Sequence, residues 1–200
     1  MRIWGAVLTA LALALPGLAS ASACDRGSFG GFAQKDQRDT RYWVLVSQAV
    51  GPLEFREASG GKVIVERGTW IDPYSGRRLE NIAAREIEID HVVPVCWAWS
   101  RGASKWDIER RRAFYNDQRL LLAVEAGLNR QKGAMAPDRF VPMNRSFACS
   151  YIELFLTGVA DWGLAMARAE AREIEAARQA ACSNFAPSFS RRPPVRKLTH

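Results

Sequence analysis

The first apolar block of the chain, Ile3 to Leu15, follows Arg2 and gives way to Pro16, Gly17 and a small-residue stretch ending Ala21-Ser22-Ala23. A basic start, an apolar middle and small residues before a cut are the three parts of a secretory signal. The block is shorter than the roughly 20 apolar residues that span a bilayer, and no second such stretch follows it, so no stable membrane insertion is expected. Cleavage after Ala23 would place Cys24 first, which also permits lipid attachment. Ala21 is a weak residue where lipoprotein signals carry Leu, so a freely secreted or periplasmic protein is the expectation and an anchor through Cys24 its alternative.

Later blocks predict a mixture of strands and helices. Asp25 to Lys35 is rich in Gly and polar residues and is expected to drape over the surface. Thr40 to Val50 is apolar, with a period that fits helix or strand. Lys62 to Glu66 is β-branched and predicts a strand, and Asp72-Pro73-Tyr74-Ser75-Gly76 carries Pro and Gly where a turn wants them. Glu86 to Val93 predicts another strand, closed by Pro94, which has no N–H for a ladder. Ser104, with Asp107 three residues on, predicts the cap of a helix running to Tyr115. Arg119 to Val124 predicts a buried strand, and Gly127 and Gly133 bracket a short helical piece. The Ala-rich stretch from Phe147 to Ala181 predicts two helices broken near Gly158. Pro187, Pro193 and Pro194, among Arg191, Arg192, Arg196 and Lys197, predict a disordered basic tail over residues 186–200. Between signal peptide (1–23) and tail lies one domain, residues 24–185, long enough for its own core and expected as a monomer.

Charge and cysteine content narrow the function. Removing residues 1–23 takes away Arg2 and no acid, leaving 27 basic against 21 acidic side chains, a formal +6. That balance suits an anionic partner, nucleic acid or an envelope polymer, and charge alone does not choose between them. Cys24, Cys96, Cys149 and Cys182 in an exported chain favour disulfides. With no Cys-x-x-Cys pair and almost no histidine, structural zinc spacing is missing. Three pairings are open. Cys149 and Cys182 flank the C-terminal helical region, which makes their bridge the first choice and leaves Cys24 with Cys96.

The chemistry concentrates in Glu86-Ile87-Glu88-Ile89-Asp90-His91-Val92-Val93-Pro94. His91 is the one histidine besides His200, so a step needing a neutral imidazole near pH 7 has a single internal candidate. Metal-assisted phosphodiester cleavage needs a base for water, a cation on the phosphate and groups that hold the backbone. His91 can take a proton from water, Asp90 can bind a divalent ion, and Asn129 can add an uncharged oxygen. Lys132 lies one helical turn from Asn129 on the same face. Oxygen ligands with one carboxylate prefer Mg2+, with Mn2+ as the alternative. Neighbours in a regular strand face opposite ways, so Asp90 and His91 share a site only if the strand twists or ends there. Each residue has a plain reading too: Asn116 as a helix C-cap, Asn129 to Lys132 and Arg110 to Arg112 as solvated helix faces, Trp97, Trp99 and Trp106 as packing residues.

Taken together, Asp90-His91-Val92-Val93-Pro94, Asn116-Asp117 ahead of Leu120-Leu121-Leu122, and Asn129-Arg130-Gln131-Lys132-Gly133 resemble HNH endonucleases. The likeness is to small exported bacterial proteins similar to the C-terminal nuclease domain of GmrSD-type enzymes. It extends over Gly68-Thr69-Trp70, Trp99, Arg101-Gly102-Ala103, Pro137, Phe140-Val141-Pro142, Cys149 and Tyr151, roughly residues 63 to 182. The resemblance implies an α+β fold around a ββα-metal core, with His91 as general base, Asp90 and Asn129 as metal ligands, Asn116 orienting the His91 loop and Lys132 assisting the phosphate. Asn129 stands where the family name places a second His, a variant the family tolerates. It also favours the Cys149–Cys182 bridge. The expectation is an exported, metal-dependent HNH endonuclease acting on DNA or RNA with low sequence specificity; the alternative is a non-catalytic basic envelope protein on the same scaffold.

Overall fold

The computed structural model describes residues 23–183, so the signal peptide up to Ser22 and the basic tail lie outside the described residues. The fold is α+β. A short hairpin, β1 (Gln34–Lys35) and β2 (Arg38–Asp39), leads into α1 (Thr40–Gln48). Three antiparallel strands follow in spatial order, β3 (Glu54–Ala58), β4 (Lys62–Ile71) and β5 (Arg78–Ala83). Next come β6 (Ile87–His91), α2 (Val95–Trp99) and α3 (Ile108–Tyr115), then β7 (Leu121–Glu125) and α4 (Ala126–Lys132). Two longer helices close the chain, α5 (Arg145–Asp161) and α6 (Arg168–Cys182).

Period-two alternation decides what β6 presents to each side. Ile87 and Ile89 are buried with Val44 and Leu45 of α1, Val65 and Trp70 of β4, and Leu121 and Ala123 of β7. Glu88 and Asp90 therefore project to the opposite face, where α4 lies. β6 and β7 pair antiparallel from Ile87 opposite Glu125 to His91 opposite Leu121. Gln48 of α1 completes the outer edge of β7: its Nε2 donates to the Leu121 carbonyl at 2.8 Å and its Oε1 accepts from Ala123 N at 2.8 Å. A second core gathers Val92, Val93, Phe114, Leu120 and Val124 against Tyr151, Ile152 and Phe155 of α5 and Ile174 of α6. Trp97 is buried there, and Trp99 and Trp106 pack against it, which bears out their reading as packing residues.

Several local expectations change. Thr40–Gln48 is helical because Asp39 caps it, accepting from Tyr42 N at 2.8 Å. The cap of α3 is Asp107, which accepts from Arg110 N at 2.7 Å, and not Ser104, which sits in a preceding 3-10 turn. Gly158 does not break a helix: it lies within α5, where a Cβ would stand 2.9 Å from Leu120 and Val93 side-chain carbons. Its role is close approach to Leu120, just before β7, and Val93, just after β6. The break comes at Gly163, whose φ of +63° suits a residue without a Cβ. Gly158→Ala should overpack this contact and lower stability by about 1 to 3 kcal/mol, read in chemical unfolding.

Residues 25–35 do not simply drape. Phe29 is fully buried against Trp99, Phe114 and Tyr115, and Cys24 is bonded to Cys96. Because that sulfur is taken, a lipid thioether at Cys24 has no thiol to use. Cys149 and Cys182 form the second bridge, as expected. The bridges span sequence separations of 72 and 33 residues, and by the chain-entropy estimate each stabilises by about 4 kcal/mol. The oxidised protein should thus melt well above the reduced one in a calorimeter; equal melting temperatures would refute a structural role for both.

Candidate active site

Asp90 and His91 occupy the last two positions of β6, and the strand ends there: after Val92 N donates to the Leu120 carbonyl at 2.9 Å, the chain turns through Pro94 into α2. This ending lets both residues line one cavity of about 300 Å³, together with Glu88, Asn129, Arg130, Arg26 and Cys96.

Asp90 is 5% exposed and held from two sides. Its Oδ1 accepts from Lys132 Nζ at 2.8 Å, and its Oδ2 accepts the Tyr74 hydroxyl from the Asp72–Gly76 turn. Burial pushes its carboxyl up, while the Lys132 ammonium and the Tyr74 hydroxyl pull it back down. Lys132 corrects an expectation. It is fully buried, does not line the cavity, and also donates to the His91 carbonyl at 3.0 Å. A cation committed in this way does not reach a phosphate. Its work is to neutralise and aim Asp90.

His91 is 4% exposed. Its Nε2 lies 2.8 Å from the Tyr115 carbonyl oxygen, which can only accept, so Nε2 carries the proton. Nδ1 is then a bare lone pair, and it is buried with no partner among the described residues. Phe32 stacks parallel to the imidazole with ring centroids 6.4 Å apart, and Tyr115 packs at 4.3 Å. Desolvation, aided by the charges of Arg26 and Lys132 and opposed by the Tyr115 bond, lowers its pKa to about 4. The ring is neutral at pH 7. It also follows that the unfolded chain takes up a proton near pH 6.5 that the folded chain refuses until about 4, so stability falls as pH drops through that window, by about 3 kcal/mol. In excess chelator, the fall between pH 6.5 and 4 should be shallower for His91→Phe than for wild type, as measured by denaturant unfolding.

Asn129 Nδ2 donates to Glu88 Oε2 at 2.7 Å. A carboxylate only accepts, so this bond fixes which end of the amide is nitrogen and leaves Oδ1 free to act as a ligand. Glu88 also accepts from Arg130 at 2.9 Å. Asn116 is tied elsewhere: its Oδ1 accepts from Ala33 N at 2.8 Å and Thr40 Oγ1 at 2.6 Å, and its Nδ2 donates to the carbonyls of Gly31 at 3.0 Å and Arg112 at 2.8 Å. Its link to His91 therefore runs through the segment carrying Phe32 and through its chain neighbour Tyr115.

The donor set fits a hard divalent ion. Each Asp90 oxygen keeps a lone pair beyond the bond it accepts, and the Asn129 amide oxygen is a neutral second donor, a sparse set that suits an ion retaining several waters. Among the described residues the one grouping of three metal-ligating side chains is Cys149, Glu153 and Cys182, whose two sulfurs are bonded to each other.

β6, β7 and α4 all fall within the part of the chain that matches a known family. The family described as GmrSD restriction endonucleases, C-terminal domain, matches residues 56–176, which contain all three elements. The chain belongs to this family. An uncharacterized secreted protein of Arthroderma benhamiae is 33% identical over 138 residues, 64% of this chain and 67% of the relative. No solved structure matches the chain. Membership in the GmrSD C-terminal family makes this a nuclease-type domain. Among the residues within the match, Tyr74, Glu88 and Tyr115 take part in the site and were missed from the sequence. Glu88 was readable, being two residues before Asp90 on the same strand face. Arg26 and Phe32 lie outside the match altogether.

Proposed function

We propose that the protein is an exported, metal-dependent HNH endonuclease that hydrolyses phosphodiester bonds in DNA, and in RNA as a second substrate, with little sequence preference. The observation that carries this reading is the tautomer of His91: a neutral imidazole whose Nε2–H donates to the Tyr115 carbonyl, whose Nδ1 keeps an unpartnered lone pair, and which lines one cavity with Asp90 and Asn129. Nδ1 takes a proton from the attacking water. Asp90 and Asn129 Oδ1 would hold Mg2+ or Mn2+, which supplies charge neutralisation at the phosphate and leaving oxygen. Lys132 and Tyr74 keep Asp90 in place, Glu88 keeps Asn129 turned, and Phe32 limits the tilt of the imidazole. Export is supported by the signal-like first residues, by two disulfides and by the name of the secreted relative; among the described residues no helix is long and apolar enough to cross a membrane.

The test is to incubate the purified secreted protein with plasmid DNA and with RNA, in Mg2+, in Mn2+ and in excess chelator. Cleavage in either ion that stops in chelator is expected, and Asp90→Asn should need much higher metal for the same rate. Full cleavage in chelator would remove the metal from the mechanism. Binding without turnover in any ion would instead select the basic envelope protein that holds anionic polymers.

A further inference from the structure

We propose that the N-terminal arm, residues 24–33, is a working part of the nuclease site, with Arg26 as the cation that receives the substrate phosphate and the Cys24–Cys96 bridge as the clamp that holds it there. The inference rests on the nuclease reading above and adds to it a residue and a redox requirement from outside the family match.

Elimination among the basic side chains comes first. Lys132 is buried behind Asp90. Arg130 lines the cavity but is paired with Glu88 at 2.9 Å. Arg26 lines the same cavity, is exposed, and among the described residues engages no carboxylate or carbonyl. It is near enough for its charge to act on Asp90, His91 and Lys132 together.

An unpaired arginine on a loose terminus would mean little, but this one is clamped on both sides. Two residues before it, Cys24 is bonded to Cys96, itself a lining residue of the cavity. Three residues after it, Phe29 is fully buried. Between them, Asp25 closes the turn by accepting from Gly27 N at 2.9 Å and Ser28 Oγ at 3.0 Å. Beyond, Asn116 grips the Gly31 carbonyl and Ala33 N, and Phe32 stacks on His91. A planar guanidinium that lines the same cavity as Asp90, His91 and Asn129, with its donors unspent, is suited to a phosphodiester.

The experiment uses the full secreted chain in a His91→Ala background, which silences cleavage, and measures affinity for a labelled duplex against salt in Mg2+. Arg26→Gln should weaken binding about tenfold and reduce the negative slope of log affinity against log salt by about 0.9, one phosphate contact. Arg26→Lys should restore the slope but only part of the affinity. Cys24→Ser/Cys96→Ser, which keeps Arg26 but frees the arm, should shift the slope in the same direction as Arg26→Gln. In the His91 enzyme, Arg26→Gln should raise KM more than it lowers kcat. If the parent binds and the His91 enzyme cleaves, yet Arg26→Gln keeps both slope and KM, this inference fails and the nuclease reading stands. If the parent does not bind nucleic acid and the His91 enzyme does not cleave it, both fall.

Discussion

Replacing His91 with Ala lowers the rate of phosphodiester cleavage by a factor of about 10² to 10⁴, the usual contribution of a general base, while the far-ultraviolet spectrum stays that of the wild type. The size follows from the site: no other imidazole lies among the described residues, and Asp90 is already committed to Lys132 and Tyr74. Burial holds the His91 pKa at about 4, so the ring is neutral and open to a proton throughout the neutral range, though below the value that makes the best base at neutral pH. Steady-state rates on plasmid, with imidazole added to the Ala variant, check the assignment. Partial recovery by the free base is expected, and a variant as fast as wild type would end the case for His91.

Lys132→Met is the second large effect, and it appears in stability before activity. Removing the ammonium leaves Asp90, 5% exposed, as an uncompensated buried carboxylate, a loss of about 3 to 5 kcal/mol in comparable pairs. For a domain of this size that corresponds to roughly 10 °C in Tm. The double variant Asp90→Asn/Lys132→Met should regain much of the loss, because a neutral amide needs no counter-cation and can still accept from Tyr74. Additive losses in this double-mutant cycle would show that the two side chains do not act as a pair.

The sequence made the ββα frame and the Asp90–His91 pair readable because both depend on local pattern: a β-branched strand stopped by Pro94, and a short helix ending at Gly133, although Gly127, expected to precede it, lies inside α4. Of three open pairings, the way Cys149 and Cys182 flank the helical region made their bridge the first choice, and Cys24 with Cys96 followed only as the remainder. Depth was not. Spacing shows that Lys132 shares a helix face with Asn129, but nothing local says whether that face meets solvent or the back of β6. Asn116 bonds to residues 76 to 85 positions away, and such partners leave no periodic trace. Gly158 was misread because a glycine needed for close packing and one that ends a helix look alike until the opposing Leu120 and Val93 are in place. The buried Phe29 was masked by its Gly-rich surroundings, whose composition suggests surface.

The two disulfides can also close independently of each other. They do not interleave: one ring closes at Cys96, and the other opens only at Cys149. The first ring contains Arg26, Asp90 and His91 but not Tyr115, β7, Asn129 or Lys132. A chain threaded N-terminus first can therefore seal its first ring while Asp90 still lacks its counter-cation, β6 its pairing strand and His91 the carbonyl that fixes its tautomer. The surroundings proposed to make His91 a base are complete only when residues 115 to 132 arrive, so a fragment ending before Lys132 should carry the dipeptide and show no cleavage.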